Sequence, residues 1–305
     1  MAETISIENL TKYYGKTRGI ENLTLTIQDN EIFGFLGPNG AGKTTTIRSI
    51  LGLLHPNSGN VKILGIDFQN LTKDLYKRIG YLPGESYLYS NMNGQEYLDF
   101  FLSFHGKSKE YQQELIKKFS KIKLDRPIKT LSTGQKRLIG VVSAFQHSPD
   151  LYILDEPTTG LDPLMQQTLY TLIKQEKEKG KTFFFSSHNL YEVQILCDRV
   201  GIVRDGFLVK TDSIENLVNI RLKHVYLKVD ESIKEWSSKL HQEKEFEDIR
   251  VLGDTIKFRY SGDYEKLIHT LGEFNKISDI TIKNPTLEEI FLQYYSYAEN
   301  QEGRI

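Results

Sequence analysis

Apolar and polar residues alternate with the two-residue period of half-buried strands at 4–9 and 23–27. The short apolar segment Glu31–Leu36 leads into a glycine-rich loop. Beyond this loop, the apolar positions of Thr44–Leu54 recur with helical spacing. The first part of the chain therefore predicts a pair of strands, and then a strand, a loop and a helix in direct succession.

Two apolar segments further along the chain, Leu151–Leu154 and Thr182–Ser187, have the composition of buried parallel strands. Before the first of them, residues 92–145 contain mostly helix-period segments with few strand signals. The pattern therefore predicts an α/β core with a helical insertion at about residues 85–150.

The chain then predicts a hairpin and a change of pattern. Val200–Val203 and Phe207–Lys210 flank Asp205-Gly206, a dipeptide that favours a tight turn between strands. After about residue 211, the segments predict strands at 224–230, 247–252, 255–260 and 278–283, and helices at 232–240, 263–274 and 286–298. This βαββαβ order with one added helix is typical of a small ferredoxin-like α+β unit.

Length and charge divide the chain in the same place. A chain of 305 residues suggests two domains, and the change of pattern gives residues 1–211 and 212–305. The second part carries 13 Lys and Arg against 18 Asp and Glu, a net charge of −5, which leaves +4 for the first. Because an acidic tail is a poor clamp for phosphate backbones, we expect no nucleic-acid partner.

Membrane-spanning segments and disulfides are not expected. The longest apolar stretches, such as Leu138–Phe145, fall well short of the ~20 residues that span a bilayer, so another chain would have to supply any path across a membrane. Cys197 is the only cysteine, which excludes an internal disulfide and fits a reducing compartment.

The glycine-rich loop fits a phosphate-binding pattern, in which glycines precede a Lys and a Thr at a helix start. Its members are Gly37, Pro38, Asn39, Gly40, Ala41, Gly42, Lys43, Thr44 and Thr45. The glycines permit backbone conformations closed to other residues, so that successive N–H groups can point at phosphate oxygens. Lys43 then places a cation on those oxygens, and the Thr44 hydroxyl is expected to ligate Mg²⁺.

Asp155 and Glu156 directly follow the apolar segment Leu151–Leu154. Ligands of α/β proteins bind at the carboxyl ends of such strands. Asp155 can hold Mg²⁺ through its water shell, and Glu156 can polarise an attacking water as general base. An acidic pair after a strand is more often a solvated turn, so the position alone leaves both interpretations open.

A third motif, Leu131-Ser-Thr-Gly-Gln135, precedes a helix predicted at 136–145. Ser132 and the N–H groups of Gly134 and Gln135 can form an anion site at the helix start. The same residues can equally be an ordinary helix N-cap, which would be the preferred interpretation if the motif stood alone.

In this order, the phosphate-binding loop, Leu131–Gln135, Leu151–Pro157 and His188 resemble the nucleotide-binding subunit of the ATP-binding-cassette (ABC) transporters. The resemblance covers roughly residues 4–211. It implies an α/β P-loop NTPase cassette with a RecA-like core, an antiparallel β subdomain and a helical subdomain. Residues 212–305 would add the ferredoxin-like α+β domain.

The resemblance implies roles for these residues. ATP and Mg²⁺ would be bound together, with Thr44 and Asp155 at the metal. Glu156 would be the general base, and His188, which as a lone histidine is more often structural, would contact the γ-phosphate and orient the water. Tyr14 matches the adenine-stacking aromatic of the family.

The resemblance also implies a dimer. In the family, Ser132, Gly134 and Gln135 bind the γ-phosphate of ATP that is held by the opposite subunit, and Asp162 belongs to a segment that crosses the dimer interface. Each site would therefore be incomplete in one cassette alone. Tyr13 remains the competitor of Tyr14 for the adenine.

The chain departs from the family in two motifs. Thr133 replaces a usual glycine, and Gly84 replaces the glutamine that ligates Mg²⁺ and links the nucleotide to the membrane subunit. Glu85 can substitute through a water, or Thr44 and Asp155 can suffice. The aromatic residues around this loop either form a docking surface or belong to the core of the helical insertion; they are Tyr81, Tyr87, Tyr89 and Tyr97.

We therefore expect the ATPase subunit of an ABC transporter, with transmembrane permease subunits and a second cassette as partners, on the cytoplasmic face of the cell membrane. Residues 284–291 resemble the tail of bacterial exporter-type subunits, which favours export. The alternative is a soluble ABC ATPase that acts on ribosomes or DNA. The 87 positions between Thr44 and Leu131 are the transporter-like spacing, and a small-molecule kinase would leave residues 131–135 unexplained.

Overall fold

The computed structural model describes residues 2–85, 87–119, 122–218, 223–229, 237–238, 240–241, 243–273, 277–284 and 289. The chain forms two compact units, Met1–Asp212 and Ser213–Ile305. Within the described ranges, none of the helices combines the length and the apolar character that crossing a membrane requires.

The first unit alternates strands and helices. Its strands are β1 (Glu3–Tyr14), β2 (Thr17–Gln28), β3 (Ile32–Leu36), β4 (Ser58–Ile63), β5 (Ile66–Asp67), β6 (Ile79–Leu82), β7 (Leu151–Asp155), β8 (Thr182–Ser187), β9 (Arg199–Arg204) and β10 (Phe207–Ser213). Its helices are α1 (Lys43–Ile50), α2 (Lys73–Tyr76), α3 (Gly94–Ser103), α4 (Glu110–Lys118), α5 (Thr133–Phe145), α6 (Pro163–Glu178) and α7 (Leu190–Leu196). Short 3₁₀ segments lie at Phe68–Asn70 and Ile128–Thr130.

The central sheet has six strands in the order β10-β9-β3-β8-β7-β6. The strand pairs from β9 through β3, β8 and β7 to β6 are parallel, and every residue of β3, β7 and β8 is buried. This is the predicted α/β core. The carboxyl ends of parallel strands lie on the same side of the sheet. The loop after β3, the end of β7 and the residue after β8 therefore lie close together.

An antiparallel sheet in the order β2-β1-β4-β5 forms a second layer. Its first two strands have twelve residues each and are much longer than the predicted segments 4–9 and 23–27. Their pairing contains register shifts, and Asn9 and Asn22 both adopt a left-handed φ of 49°. Such bulges interrupt the two-residue alternation, and the strict pattern therefore underestimates the strands.

Three helices, α3 to α5, lie between β6 and β7, in the segment with the helical pattern. The predicted bounds of two helices were wrong. The helix predicted at Thr44–Leu54 ends at Ile50, because Gly52 turns left-handed at φ +71° and the N–H of Leu53 donates to the carbonyl oxygen of Arg48. The helix predicted at 136–145 begins at Thr133, directly after its N-cap.

The hairpin between β9 and β10 has the predicted turn. Asp205 and Gly206 have φ values of 47° and 85°, the pair of left-handed conformations that a type I′ turn requires. This hairpin places β10 at the edge of the central sheet.

The second unit contains α8 (Ile214–Val218), β11 (Lys223–Val229), β12 (Phe246–Leu252), β13 (Thr255–Tyr260), α9 (Tyr264–Gly272) and β14 (Ile277–Lys283). Its strands form an antiparallel sheet in the order β12-β13-β11-β14, each within one residue of its predicted bounds. The helices predicted at 232–240 and 286–298 lie mostly outside the described residues. The ferredoxin-like assignment therefore stays a prediction.

Candidate active site

The loop between β3 and α1 folds around the Lys43 side chain. The Lys43 ammonium donates to the carbonyl oxygens of Gly37 and Pro38, at 2.6 and 3.0 Å, and the side chain is only 6% exposed. Gly42 has a φ of +102°, and a Cβ atom there would lie 2.6 Å from the carbonyl oxygen of Gly19. Only glycine satisfies both conditions, which explains the residue that precedes the lysine.

A hydroxyl and a buried carboxylate meet where α1 approaches the end of β7. The Thr44 hydroxyl donates to Oδ2 of Asp155 at 2.8 Å, and the Ser186 hydroxyl donates to Oδ1 at 2.5 Å. Asp155 is completely buried. Hydroxyl and carboxylate oxygens are the hard ligands that Mg²⁺ takes in nucleotide sites, usually with one or two carboxylates and the substrate phosphates. These residues fit a magnesium ion.

Glu156 lies between the lysine and the histidine. Its Oε1 is 3.1 Å from Lys43 Nζ, and its Oε2 is 2.7 Å from Nδ1 of His188. The backbone of Glu156 is left-handed, with a φ of +50°, and its N–H bonds both the carbonyl and the hydroxyl oxygen of Ser186. The turn after β7 thus directs the carboxylate toward both partners.

A second buried carboxylate holds the segment that carries His188. Glu192 accepts hydrogen bonds from the Ser187 hydroxyl at 2.8 Å and from the Asn189 amide at 3.3 Å. It also accepts a 2.5 Å bond from the Thr158 hydroxyl. Because Thr158 follows the Glu156 turn, one side chain joins the two loops that present Glu156 and His188.

An open cleft of about 300 Å³ lies above this site, and we call it the P-loop cleft. It is lined by Tyr14, Arg18, Gly19, Asn39, Gly40, Gly42, Lys43, Thr44, Thr45 and Glu156. Ala41, by contrast, is buried beneath the loop. Tyr14 is 48% exposed at the cleft, whereas the Tyr13 hydroxyl is bound to Glu21 at 2.8 Å. Of the two tyrosines, only Tyr14 therefore lines this cleft.

The remaining predicted residues line a different cleft of about 520 Å³, the signature cleft. Its lining residues are Ser132, Thr133, Gly134, Gln135, Leu138, Gly160, Leu161, Asp162 and Met165. Ser132 caps α5 by accepting the Gln135 N–H at 3.3 Å, and Asp162 caps α6 by accepting the Met165 N–H at 3.0 Å. Two helix N-termini thus open onto one cleft, which shares no lining residue with the P-loop cleft.

The structure shows the surroundings of the two positions that depart from the family motifs. A Cβ atom at Gly134 would lie 2.8 Å from the carbonyl oxygen of Gly160, so this position needs glycine, whereas Thr133 is exposed beside it and accommodates a side chain. A Cβ atom at Gly84 would lie 3.1 Å from Oδ2 of Asp155. The backbone of the Gly84 loop thus lies directly against the carboxylate.

Sequence reasoning missed several residues of the site besides Thr158 and Glu192. Ser186 binds Asp155, Arg18 lines the P-loop cleft, and Arg137 is buried beneath the Glu156 turn. Burial lowers the pKa of the Arg137 guanidinium to about 10, so it stays charged at neutral pH. Of these, only Ser186 had a signal, since it lies within the predicted strand Thr182–Ser187 that precedes His188.

The fold and the site define a P-loop nucleotide hydrolase. Residues 20–159 match the family described as ABC transporter. The bacitracin transport ATP-binding protein BcrA of Bacillus licheniformis is 33% identical over 301 residues, which cover 96% of this chain and 97% of that protein. The linearmycin resistance ATP-binding protein LnrL of Bacillus subtilis (strain 168) is 36% identical over 222 residues, or 70% of this chain and 71% of that one.

A solved structure of the ATP-binding subunit of an ABC transporter matches with a TM-score of 0.64 and 29% identity, over 70% of this chain and 91% of that chain. The chain therefore belongs to the ABC transporter family, as an ATP-binding subunit. It carries the ATPase cassette that the sequence motifs predicted, and the predicted fold of the core is confirmed.

Proposed function

We propose that this chain hydrolyses ATP at the P-loop cleft with Glu156 as general base. Its carboxylate is 2.7 Å from His188 and 3.1 Å from Lys43, so it has both a histidine that can orient a water and a neighbouring cation. The Lys43 ammonium moves from the loop carbonyls to phosphate oxygens when ATP binds. Tyr14, exposed at the cleft, stacks on the adenine.

Mg²⁺ is held by the Thr44 hydroxyl and, through water, by Asp155. The metal supplies charge neutralisation on the phosphates. The Ser186 hydroxyl keeps Asp155 oriented toward Thr44, because it binds the other carboxylate oxygen. Gly84 contributes no side chain, and the Glu85 carboxylate accepts a hydrogen bond from the Tyr87 hydroxyl.

Two copies of the chain close around two ATP molecules. The observation that carries this proposal is the separation of the two clefts, which have no lining residue in common. The signature cleft offers an N-cap serine and two helix N-termini, the arrangement that attracts an anion. The γ-phosphate at the P-loop of one copy therefore completes its contacts at Ser132, Gly134 and Gln135 of the other.

A transmembrane permease docks on an aromatic patch formed by Tyr89, Phe100 and Phe104, whose rings contact one another, and on the exposed Tyr87 that precedes them in the chain. Tyr87 is 79% exposed and Phe104 is 56% exposed, whereas Tyr97 is buried. Tyr89 stacks on Phe101 at a centroid distance of 6.1 Å, which anchors the exposed rings on the helical insertion. The exposure of Tyr87 and Tyr89 supports the docking role. Tyr81 instead packs, partly buried, against the apolar core of the first unit. Exposed aromatic clusters are typical of interaction sites.

The transport direction is export. Support comes from the relatives named for bacitracin transport and linearmycin resistance, the first of which matches along almost its whole length. Association with the permease places the chain on the cytoplasmic face of the membrane.

Co-purification tests this function. The full-length chain, expressed in its own host, should remain with the membrane fraction and elute from detergent together with a multi-spanning protein. Tyr87→Ser with Phe104→Ser should release it from that partner. Tyr264→Ser, which changes a ring of the second unit with an exposure close to that of Phe104, is the control. Recovery with ribosomes or DNA instead would contradict the transporter assignment.

A further inference from the structure

A single buried arginine holds the backbone on both sides of the proposed general base. Arg137 lies in the second turn of α5 and is 2% exposed. Its Nη2 donates to the carbonyl oxygens of Asp155 and Glu156, both at 2.6 Å, and its Nε donates to the carbonyl oxygen of Pro157 at 3.2 Å. Three successive carbonyls of the turn after β7 therefore share one guanidinium.

The turn at Glu156 has a backbone that needs such support. A non-glycine residue adopts a φ of +50° only where its surroundings hold it there, because its Cβ atom crowds the backbone. The orientation of this turn decides where the carboxylate points, and in the structure it points at Lys43 and His188. Arg137 thus fixes the feature on which the position of the general base depends.

The same guanidinium holds a second loop. Its Nη1 donates to the carbonyl oxygens of Pro83 and, at 3.3 Å, Gly84. Gly84 has no side chain with which to reach the carboxylates, and among the described residues the hydrogen bonds that join this loop to the Glu156 turn are those of Arg137. Helix α5, whose N-terminus lines the signature cleft, therefore carries the arginine that joins the Gly84 loop to the Glu156 turn.

We propose that Arg137 is a positioning residue for ATP hydrolysis, which holds the Glu156 turn against the Gly84 loop so that the carboxylate is set for the attacking water. This inference rests on the proposed role of Glu156. The Arg137 guanidinium bonds backbone carbonyl oxygens of the Glu156 turn and the Gly84 loop, and its side chain is not among the lining residues of either cleft. It acts on turnover through the backbone of Glu156 and not on nucleotide binding.

The test substitutes Arg137→Lys in the full-length chain. Lysine keeps the positive charge but lacks the planar fork that serves five carbonyl oxygens. We expect kcat to fall about 10- to 100-fold, since a misplacement of about 1 Å costs about 10²-fold. The Kd for ATP, measured by calorimetry, should stay within about threefold, because the phosphate-binding groups remain in place.

Arg199→Lys is the matched control. The Arg199 guanidinium also donates to a backbone carbonyl, that of Thr26 at 3.3 Å, and to the Glu31 carboxylate at 3.0 Å. Glu31 precedes β3 and so lies at the amino-terminal ends of the parallel strands, whereas Glu156 lies at their carboxyl-terminal ends. This variant should keep a normal kcat. A similar loss in both variants would mean that replacing either arginine disturbs the fold, and would overturn the proposal.

A double-mutant cycle separates positioning from a general structural effect. Because Arg137 acts through Glu156, combining Arg137→Lys with Glu156→Gln should lower single-turnover hydrolysis no further than Glu156→Gln alone. Multiplied losses would overturn the proposal, as would equal losses in kcat and ATP affinity. If the lysine variant is insoluble, Arg137→Gln, whose amide still donates two N–H bonds, takes its place in the same cycle.

The outcomes distinguish this inference from the function on which it rests. Normal turnover in Glu156→Gln would remove the general base and with it the proposed chemistry. Normal turnover in a folded Arg137→Lys, beside an inactive Glu156→Gln, would overturn the positioning role alone.

Discussion

The two clefts of the cassette differ in how their polar groups are used. At the P-loop cleft, polar side chains from distant segments contact one another, as Glu156 does with Lys43 and His188. In the signature cleft, Ser132 and Asp162 bind the N–H groups of their own helices. We therefore propose acid–base and metal-binding chemistry for the first cleft and anion binding at two helix N-termini for the second.

This difference predicts that substitutions in the two clefts will separate chemistry, binding and assembly. The largest effect is expected from Glu156→Gln. Loss of a general base typically costs about 10²- to 10⁴-fold, and kcat for phosphate release should fall by that amount. ATP binding should persist, because Lys43 and the loop N–H groups remain. An ATP-bound pair of chains should then be visible by size-exclusion chromatography.

Glu178→Gln, an exposed change at the end of α6, controls for the loss of one carboxylate. Near-normal steady-state hydrolysis by Glu156→Gln would show that Glu156 is not the general base. The two clefts would then differ in their charged groups but not in the presence of a base.

Lys43→Ala should produce the next largest effect, on binding itself. Hydrogen bonds to charged groups contribute about 1.5–3 kcal/mol, which corresponds to a Kd for ATP weaker by about 10- to 100-fold. Calorimetric titration of ATP measures it directly. Lys16→Ala, at an exposed position outside the P-loop cleft, should bind ATP normally. Unchanged affinity in the Lys43 variant would show that phosphates do not bind at this loop.

Much of this contrast could be predicted from the sequence, because its parts are local. The strand, loop and helix around Lys43 follow from one short motif, and β7 and β8 were predicted from continuous apolar segments. The turn at Asp205-Gly206 follows from two residues that tolerate left-handed backbone. In each case the interactions that fix the geometry lie within a few positions of the residues that signal it.

The contacts that join separate segments could not be predicted in this way. The ion pair between Lys43 and Glu156 spans more than a hundred positions, and nothing near Arg137 signals that its guanidinium reaches carbonyls of two loops. The left-handed φ of Glu156 opposes the preference of its residue type, and only the surrounding bonds explain it. These features are determined by tertiary packing, which the local periodicity of the sequence does not reveal.

The first residue of a helix was harder to predict than the presence of the helix. Ser132 caps α5, so the helix begins at Thr133 rather than at residue 136, and the cap that the sequence offered as the ordinary interpretation is present. An N-cap and an anion site use the same backbone N–H groups. The cap therefore does not decide between them, and the anion-binding role of Ser132 stays a prediction.

Mixing two variants, each with one damaged cleft, is expected to restore ATPase activity in part, which is a smaller effect than those above. Ser132→Arg should block the signature cleft, and Lys43→Ala should disable the P-loop cleft. If each site draws on both copies, a mixture of the two variants forms pairs with one damaged site and one complete site. ATPase activity of the mixture should then exceed that of either variant alone.

Exchange of subunits must be allowed before the assay, and each variant mixed with itself provides the baseline. Ser103→Arg, at an exposed position outside both clefts, replaces Ser132→Arg in a control mixture and should leave its own chain active. A mixture as inactive as either parent would contradict composite sites that turn over independently of each other.

The smallest effect on the nucleotide site is expected from removing the second unit. Both clefts, and the His188 contact, are built from residues before Asp212, the last residue of the first unit. A chain that ends at Ser213, where β10 ends, should bind ATP with near-normal affinity in calorimetry. Its pairing in size-exclusion chromatography or its coupling to the permease should change, because the second unit adds a separate four-stranded sheet with exposed surface.

Loss of ATP binding in a soluble, folded truncation would show that the second unit completes a cleft. Unchanged assembly, hydrolysis and transport would show instead that all three reside in the first unit.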